Sequence, residues 1–396
     1  MKIGILSFSF KNWIAGSLYN QAAIRAISHL PQSIRPEIHL IMPRHDDHRH
    51  IYEDFKDEID SFVFYDHHTQ NKSEKSAVRK ILRLLRIRGR STTLLQSAQA
   101  EGIDVIFPVT HSLGKDSPVN WIGWIPDFQH RHLPDFFCEK DRSNRDEKYQ
   151  TLIHEAPHLV ASSEDAKSDL LKFYAADANR ISAYRFRTYA EPAWFSDNPI
   201  KVVDDLGLPE KFLMFPSQFW KHKNHELLLK SVAQFKSAVN EDICLVLTGK
   251  DIDYRNPGHP DHLKQLIVRM GLESNVRYLG LLPRNQQIQL MRRACAIVQP
   301  SLFEGWSMLV EDCRALGKTV LLSDLPVHRE QAYPSAHFFT PDHPENLTKL
   351  LTELWPKLNP GPDLEAEAVA RTHNLELIRQ NGQFLLELFQ MVSKRK

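Results

Sequence analysis

The sequence predicts an α/β protein made of two doubly wound, parallel-sheet (Rossmann-like) domains that face a cleft. Short apolar runs alternate with amphipathic helical patterns along the whole chain, which is typical of parallel strands joined by crossover helices. A chain of 396 residues is too long for one ordinary core. Between residues 190 and 209 the periodicity is lost and Pro, Gly and Asp accumulate, which indicates a linker.

The predicted first domain covers residues 1–195. Its strand candidates are apolar runs bounded by turn residues: "KIGILSF", "EIHLIM", "SFVFY", "DVIFPV", "VNWIGWI", "HLVAS" and "RISAY". The pattern restarts in a second domain, residues 196–375, with strands "FLMFPSQ", "ICLVLTG", "VRYLG", "CAIVQP" and "TVLLSD" alternating with helices. Residues 376–396 are predicted to form a C-terminal helix that packs back toward the first domain.

Composition and charge exclude several classes of protein. A formal net charge of +1 gives no reason to expect a nucleic-acid partner. The four cysteines lack the paired spacing of zinc or redox sites and suit a reducing cytoplasm; they are Cys138, Cys244, Cys295 and Cys313. The apolar N-terminus is short and lacks a cleavage site, so we expect a strand there and not a signal peptide. The histidine-rich stretches 45–50 and 65–68 are predicted to be polar surface loops.

The segment "SLFEGWSMLVEDCRALGK" (301–318) is the main candidate for chemistry. Gly305 supplies a turn after a buried strand and Ser307 can cap the helix that begins at Met308. Such a helix start attracts phosphate, and a carboxylate beside it, Glu304, is useful if it binds hydroxyls. A sugar attached to a diphosphate offers both groups. On a helical wheel Asp312 flanks the buried face, whereas Glu311 lies nearly opposite as a solvated charge that Arg314 can pair with.

A second loop carries an unusual set of cations. In "FPSQFWKHKNHELLLK" four basic side chains cluster where a strand becomes a helix: Lys221, His222, Lys223 and His225. Cations at a helix N-terminus oppose the helix dipole, so an anionic ligand would explain them.

Together these segments resemble glycosyltransferases of family 4, retaining enzymes with the GT-B fold. The motifs that carry the resemblance are "QFWKHKNHELLL", "PSLFEGWSMLVEDCRALGKTVLLSD" and "VHREQ", and "IPDFQHRHLPDFF" resembles a loop of the same branch. The resemblance implies a nucleotide-sugar-binding C-terminal domain and an acceptor-side N-terminal domain. It also implies a nucleotide diphosphate sugar as donor, and neither a cofactor nor a metal.

By the resemblance, Glu304 contacts the transferred sugar, Asp312 stands where the family binds the ribose, and Lys223 contacts the diphosphate. Three departures from the family pattern stand out. Asp312 replaces a Glu; Gln218 replaces a diphosphate-binding Arg, for which Lys221 or Arg284 could compensate; and Pro126-Asp127 replaces a His-Asp pair. His130 is then the nearest histidine that could line the sugar, or else an ordinary loop residue.

The remaining donor-binding candidates belong to three places in the chain. Gly16, at the start of the first helix, either meets the phosphate or acceptor or is a simple turn glycine. Thr248 and Gly249 in "TGK" and Leu279 in "YLGLL" fall where, by the resemblance, relatives hold the base and ribose largely through the backbone, and the helix start adds Gly305, Trp306, Ser307 and Met308. His328 is expected to brace the loop beneath the donor. The triplet Asp251-Ile252-Asp253 spells a metal motif of a different transferase fold, and we interpret it as coincidence.

We interpret the sequence as that of a hexosyltransferase acting on a carbohydrate or lipid-linked acceptor in polysaccharide or glycolipid synthesis. We expect it in the cytoplasm. The basic amphipathic stretch 76–90 either contacts the inner membrane face or covers the core with a solvated basic side. The alternatives are a hydrolysing nucleotide-sugar epimerase and a non-catalytic nucleotide-sugar-binding relative.

Overall fold

A computed structural model describes residues 1–7, 14–44, 52, 55–66, 92–239 and 242–394. The stretches 45–50, 67–68 and 76–90 lie outside the described residues. The chain divides into two compact units. The first contains residues 1–126, 144–187 and 377–396, and the second contains 127–143 and 188–376. This division differs from the boundaries expected from the sequence, because the segment 127–143 belongs to the second unit and the chain crosses between units at 187/188.

The first unit is a seven-stranded parallel sheet with the strand order β3-β2-β1-β4-β5-β6-β7. Its strands are β1 (Lys2–Leu6), β2 (Glu37–Pro43), β3 (Ser61–Tyr65), β4 (Val105–Val109), β5 (Asn120–Ile125), β6 (His158–Ala161) and β7 (Ile181–Ala183). The helices of this half of the chain, in order, are α1 (Ile14–Ser28), α2 (Thr92–Ala100), α3 (Gln129–His132), α4 (Glu139–Glu155) and α5 (Glu164–Tyr174). Of these, α3 and the start of α4 lie in the segment 127–143 and belong to the second unit.

The second unit is a six-stranded parallel sheet with the order β10-β9-β8-β11-β12-β13. Its strands are β8 (Leu213–Pro216), β9 (Leu245–Thr248), β10 (Val276–Gly280), β11 (Ala296–Gln299), β12 (Val320–Ser323) and β13 (Ala336–Phe339). The helices that follow along the chain are α6 (Ala193–Ser196), α7 (Pro199–Asp205), α8 (His225–Val239), α9 (His259–Arg269), α10 (Arg284–Arg293), α11 (Met308–Ala315), α12 (Pro326–Glu330), α13 (Pro344–Leu354) and α14 (Leu364–Ser393). Short 3₁₀ turns span Pro134–Phe136, Ala178–Arg180, Lys221–Lys223 and Trp355–Lys357.

The predicted fold class is confirmed: both sheets are parallel, and both reverse their strand order at an inner pair. The twelve apolar runs chosen from the sequence are β1 to β12, because strands buried on both faces read as continuous apolar stretches. The region 190–209, predicted to be a linker, contains the short helices α6 and α7, and the strand β13 was not predicted. The sequence of β13, "AHFF", is too short and too mixed in polarity to be recognised.

The core of the first unit explains why α14 ends there. Tyr19 of α1 stacks on Trp124 of β5 with ring centroids 3.9 Å apart. Phe389 of α14 meets Phe107 at 5.7 Å, and Phe384 of α14 stacks on Tyr184 at 6.0 Å. The apolar face of α14 beyond residue 376 is thus part of this aromatic core. Within the described part of the chain, every helix is too short or too polar to cross a membrane.

The reversal of strand order in the second sheet positions the candidate site. β8 pairs with β11, Met214 facing Ile297, and β9 and β12 extend the sheet outward on the two sides. The loops that leave the carboxyl ends of β8 and β11 are therefore neighbours. Open parallel sheets bind their ligands at this point, outside the carboxyl ends of the strands.

Candidate functional site

Lys223 and Glu304 form an ion pair between these two loops. The Lys223 ammonium donates to Glu304 Oε1 at 2.6 Å, and Gln299 Nε2, at the end of β11, donates to the same oxygen at 2.9 Å. The side chains of Lys223 and Glu304 are 19% and 9% exposed. Burial raises the pKa of the Glu304 carboxyl, but the charge of Lys223 and its hydrogen bond to the carboxyl outweigh it, so the pKa lies below its ordinary value. Glu304 is therefore an ionised acceptor at neutral pH.

The helix start beside this pair is built as the sequence predicts. Ser307 caps α11, since its hydroxyl oxygen accepts from the Val310 amide at 3.3 Å. The same hydroxyl donates to Gln299 Oε1 at 2.7 Å. Met308 and Leu309 are the first two helical residues, whose amides have no acceptor within an α-helix. The turn from Glu304 to Met308 thus combines a carboxylate with the positive end of a helix.

Two glutamines hold this turn, and sequence reasoning missed both. Gln299 bridges Glu304 and Ser307, donating to one and accepting from the other. Gln331 accepts from the Ser307 amide at 3.0 Å and donates to the Ser307 carbonyl at 3.0 Å. Both are buried. A polar residue ending the buried strand "AIVQ" was the available signal for Gln299, because a buried amide needs partners.

Glu311 is not the solvated charge that the helical wheel predicts. It is fully buried, accepts from Gln331 Nε2 at 2.8 Å and pairs with Arg314 Nε at 3.2 Å. The pairing with Arg314 was expected, but the burial was not. The wheel places Glu311 opposite the sheet, and the chain after β12 covers that side through Gln331 and Tyr333, whose ring lies under the Arg314 guanidinium.

Asp312 is also buried, and its oxygens are occupied by protein donors. The Arg284 guanidinium makes two hydrogen bonds to it, at 2.8 and 2.6 Å, and the Thr188 hydroxyl donates to Oδ1 at 2.9 Å. Thr188 is the first residue of the second unit after the 187/188 crossing, and its carbonyl accepts from Asn374 Nδ2 at 2.8 Å, two residues before the 376/377 crossing. Asp312 therefore connects the candidate site with the residues next to both crossings.

Arg284 and Lys221, expected to compensate for Gln218, have other contacts. Besides Asp312, Arg284 lies over the Trp194 ring at 5.2 Å. The Lys221 ammonium lies over the Phe136 ring at 5.0 Å. Gln218 is partly buried, and its carbonyl accepts from the Trp220 amide at 2.8 Å. Both cations are therefore engaged away from the Lys223–Glu304 pair.

The "TGK" loop follows β9, next to β8. Gly249 has φ +136, and a Cβ there would lie 2.1 Å from the Ser217 carbonyl oxygen, so only glycine fits. Thr248 is fully buried, and its hydroxyl lacks a partner among the described residues. Leu279 lies at the end of β10, the outer neighbour of β9. At Gly249 the backbone of this loop therefore packs closely against the backbone of the β8 loop.

Two of the four basic side chains of the β8 loop, the histidines, are neutral. His225 is fully buried between Phe215 and Phe219, with ring centroids at 4.6 and 4.5 Å, and its ring nitrogens lack hydrogen-bond partners among the described residues. Burial, then the charges of His259 and Lys223, lower its pKa to about 3. Burial also lowers the pKa of His222 well below its usual value. The predicted surplus of positive charge thus reduces to Lys221 and Lys223.

The other predicted residues are placed as follows. Gly16 lies buried in the first turn of α1, in the first unit. Trp306 is buried beside Gly305. His130 is 1% exposed, with its ring edge-on to Phe137 at 6.4 Å. His328 is fully buried, and its Nδ1 lies 2.7 Å from the Ser323 carbonyl oxygen, so it braces the end of β12.

The residues with described positions contain no group of three or more His, Cys, Asp or Glu side chains that could hold a metal ion. In the triplet 251–253, Asp253 is buried and accepts from the backbone amides of Lys221, Arg255 and Asn256 at 3.0, 3.0 and 3.3 Å. Its role in the structure is to hold loops together.

Comparisons with known proteins agree with the resemblance seen in the motifs. Residues 200–356 match the family model described as "Glycosyl transferases group 1". The O-antigen chain mannosyltransferase RfbU of Salmonella typhimurium is 24% identical over 192 residues, 48% of this chain and 48% of that protein. A Campylobacter jejuni 4-alpha-N-acetylgalactosaminyltransferase that acts on a diphospho-undecaprenol-linked sugar is 29% identical over 124 residues, 31% of each chain. The chain thus spans about half or less of the length of these curated relatives.

Among solved structures, Anabaena Alr3699/HepE in complex with UDP-glucose superposes with a TM-score of 0.66 at 16% identity, covering 98% of this chain and 99% of that one. At this identity the similarity establishes the fold alone. It confirms the predicted GT-B class over nearly the whole chain.

Proposed function

Because residues 200–356 match the glycosyl transferases group 1 family, we propose that the protein is a retaining, metal-independent glycosyltransferase. It transfers a hexose from a nucleotide diphosphate sugar to a hydroxyl group of a carbohydrate or lipid-linked acceptor. The observation that carries the proposal is the 2.6 Å contact between the Lys223 ammonium and Glu304 beside the first turn of α11. A cation, a carboxylate and helix amides then converge at one point of the strand-order reversal.

Each group has a role that its chemistry suits. Glu304, ionised and held by Gln299, accepts hydrogen bonds from hydroxyl groups of the donor sugar and orients the anomeric carbon. Negative charge develops on the diphosphate as the bond from the anomeric carbon to the phosphate oxygen breaks. Lys223 and the first amides of α11 stabilise that charge where it forms. These donors would do the work that a divalent cation does in other transferases.

The reaction needs no nucleophile from the protein. The acceptor oxygen attacks the anomeric carbon on the face that the diphosphate leaves, and the departing phosphate oxygen takes the acceptor proton. One C–O bond forms as another breaks, and the configuration is retained. This step follows from the family resemblance, and the acidic Glu304 carboxyl agrees with it, because an ionised carboxylate positions substrate and does not donate a proton.

The relatives indicate the class of substrate. RfbU is a mannosyltransferase of the O-antigen chain, the Campylobacter enzyme uses a lipid-diphosphate-linked acceptor, and HepE was solved with UDP-glucose. We therefore propose polysaccharide or glycolipid synthesis as the process. A lipid-linked acceptor would place the protein in the cytoplasm at the inner membrane face.

A non-catalytic relative that binds nucleotide sugars is the second candidate. Gln218 in place of a diphosphate-binding Arg supports it, and the two cations that could compensate, Lys221 and Arg284, contact Phe136 and Asp312. A hydrolysing epimerase would need an acid against the sugar ring, for which the described site offers no residue beyond Glu304.

Turnover distinguishes these functions. Release of nucleotide from UDP-, GDP- and ADP-hexoses should be measured with and without EDTA, together with thermal stabilisation by each nucleotide. We expect one base to be preferred, EDTA to have no effect, and Glu304→Ala to abolish turnover. The matched control is Glu226→Ala, because Glu226 makes the same 2.6 Å contact with Lys230 on the surface of α8. Binding without turnover for every donor would favour the non-catalytic relative, and unchanged turnover in Glu304→Ala would refute the proposed site.

A further inference from the structure

Residues 127–143, here called the docked segment, come from the first half of the chain but belong to the second unit. The segment leaves the end of β5, forms the short helix α3 and the 3₁₀ turn Pro134–Phe136, and begins α4. Its aromatic side chains meet two cations of the second unit. Lys221 lies over the Phe136 ring at 5.0 Å, and Arg255 lies over the adjacent Phe137 ring at 4.7 Å.

Arg255 is the centre of this contact. Its guanidinium donates to Gln129 Oε1 of the docked segment at 2.7 Å, and it lies over the Trp220 ring at 4.7 Å on another side. Its Nε forms an ion pair with Asp253 at 3.7 Å, and the Arg255 side chain is only 5% exposed. A planar guanidinium can stack on rings and donate in its plane at once, which an ammonium cannot.

Asp253 and Arg255 also contact the 3₁₀ turn that contains Lys223. Asp253 accepts from the Lys221 amide at 3.0 Å, and Arg255 Nη2 lies 3.2 Å from His222 Nδ1. From the other side, the Leu302 amide donates to the His222 carbonyl at 2.8 Å, two residues before Glu304. The turn Lys221–Lys223 is therefore clamped between the Asp253–Arg255 pair and the β11 loop.

Burying a guanidinium costs free energy that ion pairing in a protein interior repays only in part. If Arg255 only attached its own loop to the rest of the unit, an apolar side chain could do the same. The buried Arg255 guanidinium instead contacts both the docked segment, at Gln129, and the turn Lys221–Lys223, at His222. These contacts hold the turn that carries Lys223.

We propose that Arg255, braced by the docked segment, is a positioning residue that holds the turn Lys221–Lys223 so that Lys223 reaches Glu304. The inference rests on the proposed function, because it assigns Arg255 a role through Lys223. It also assigns a role to the docked segment, which supplies Gln129, Phe136 and Phe137 to the donor-binding unit. Neither Arg255 nor Gln129 touches the substrate in this proposal.

Two variants test it. Arg255→Lys keeps the charge but loses the planar contacts, and Gln129→Ala removes one hydrogen bond. We expect kcat/KM for the preferred nucleotide sugar to fall about tenfold in Arg255→Lys and about threefold in Gln129→Ala. The control is Arg292→Lys, since Arg292 is equally buried in the same unit, pairs with Glu367 and lies over Phe195, away from the Lys223 turn. The control should lower Tm with little effect on kcat/KM.

Coupling to Lys223 separates positioning from general stability. In a Lys223→Met background, Arg255→Lys should lower residual turnover and the affinity for the preferred nucleotide by less than about twofold. The reason is that Arg255 acts by positioning the Lys223 ammonium, which this background lacks. Full additivity in the double variant, or an Arg255→Lys effect no larger than that of Arg292→Lys, would overturn the inference and leave the proposed function standing. If Lys223→Met is itself silent, the proposed site fails and the inference fails with it.

Discussion

Two carboxylates on the same turn and helix, Glu304 and Asp312, are each paired with a cation, yet the two pairs differ in kind. Glu304 meets an ammonium through one oxygen, whereas Asp312 is held by the two Nη atoms of a guanidinium and by the Thr188 hydroxyl. An ammonium on a flexible stem can move from a carboxylate to a phosphate, while a two-point guanidinium contact fixes both partners. The first pair is therefore the easier to separate, and the second holds both partners in place.

This difference matters because the family resemblance assigns both carboxylates to the donor. Asp312 Oδ2 has one protein donor and could still accept a ribose hydroxyl. Its other contacts, however, tie it to Thr188 and so to the 187/188 crossing. We expect substitutions at Glu304 and Lys223 to change catalysis first, and substitutions at Asp312 and Thr188 to change stability first.

The largest effect is expected for Lys223→Met. Loss of the ammonium should lower turnover by at least about a hundredfold, the size typical of removing one charge-stabilising donor. It also leaves Glu304 buried without its cation, so the pKa of that carboxyl should rise. Steady-state kinetics and a pH profile of turnover check both effects. Lys230→Met, which breaks the exposed pair with Glu226, should leave both unchanged; a comparable loss in that control would remove the distinction between the pairs.

Asp312→Asn should change stability more than turnover, the opposite of Lys223→Met. It weakens the guanidinium contact and leaves Arg284, 37% exposed, beside a neutral amide. We expect the free energy of unfolding to fall by about 2 kcal/mol, and turnover to fall less than in Lys223→Met. Urea unfolding and kinetics on the same preparation measure the two. A loss of turnover as large as in Lys223→Met, with stability unchanged, would make Asp312 chiefly a ligand for the donor.

The acid range tests whether the Glu304 pair or the buried histidines limit stability. The pKa of His225 is about 3 in the folded protein and about 6.5 in an unfolded chain, so between these values only the unfolded state takes up the proton. Stability should therefore be lost as pH falls below about 6.5, by up to about 1.4 kcal/mol per pH unit for this residue.

His225→Phe should remove that share of the slope. The phenylalanine ring suits the aromatic contacts with Phe215 and Phe219 and carries no nitrogen that lacks a partner. The Glu304 carboxyl, whose pKa lies below its ordinary value, is ionised through most of this range and should not contribute. Unfolding curves between about pH 7 and pH 4 measure the slope. An unchanged slope in His225→Phe would show that this histidine is not the source.

The smallest effect is expected for Thr188→Val, which removes one hydroxyl from the Asp312 cluster and keeps the shape. We expect about 1 kcal/mol less stability, with turnover within about twofold of the parent protein. Thr188→Ser retains the hydroxyl and should lose less. A larger change in turnover than in stability would show that the Thr188–Asp312 contact serves catalysis, contrary to the structural role assigned to the Arg284–Asp312 pair.

Several site features were visible in the sequence because they depend on neighbours along the chain. Ser307 caps α11 as predicted, since a cap acts within three residues. Gly249 falls where only glycine fits, at the end of a recognisable strand. The convergence of Lys223 and Glu304 followed from both residues lying after parallel strands that the family motifs identify.

Other features failed to show because they depend on contacts between distant residues. Glu311 looked solvated on a wheel that knows only one helix, and Gln331, twenty residues away, covers it. The contact of Arg284 with Asp312, twenty-eight residues further along the chain, could not be predicted from the neighbours of either residue. The docked segment was assigned to the first domain because it follows β5 without a break in the chain.

The sequence alone determined the two parallel sheets, the helix start after Gly305 and the pairing of a lysine loop with an acidic turn. Periodic burial and short-range capping encode the sheets and the helix start locally, whereas the pairing of the two loops followed from the motifs of the family resemblance. Only the tertiary structure decided which charges are buried and which partners they have. Burial, pKa and partner choice depend on side chains brought together from far apart, as with Asp312, Thr188 and Arg284, or Arg255 and Gln129.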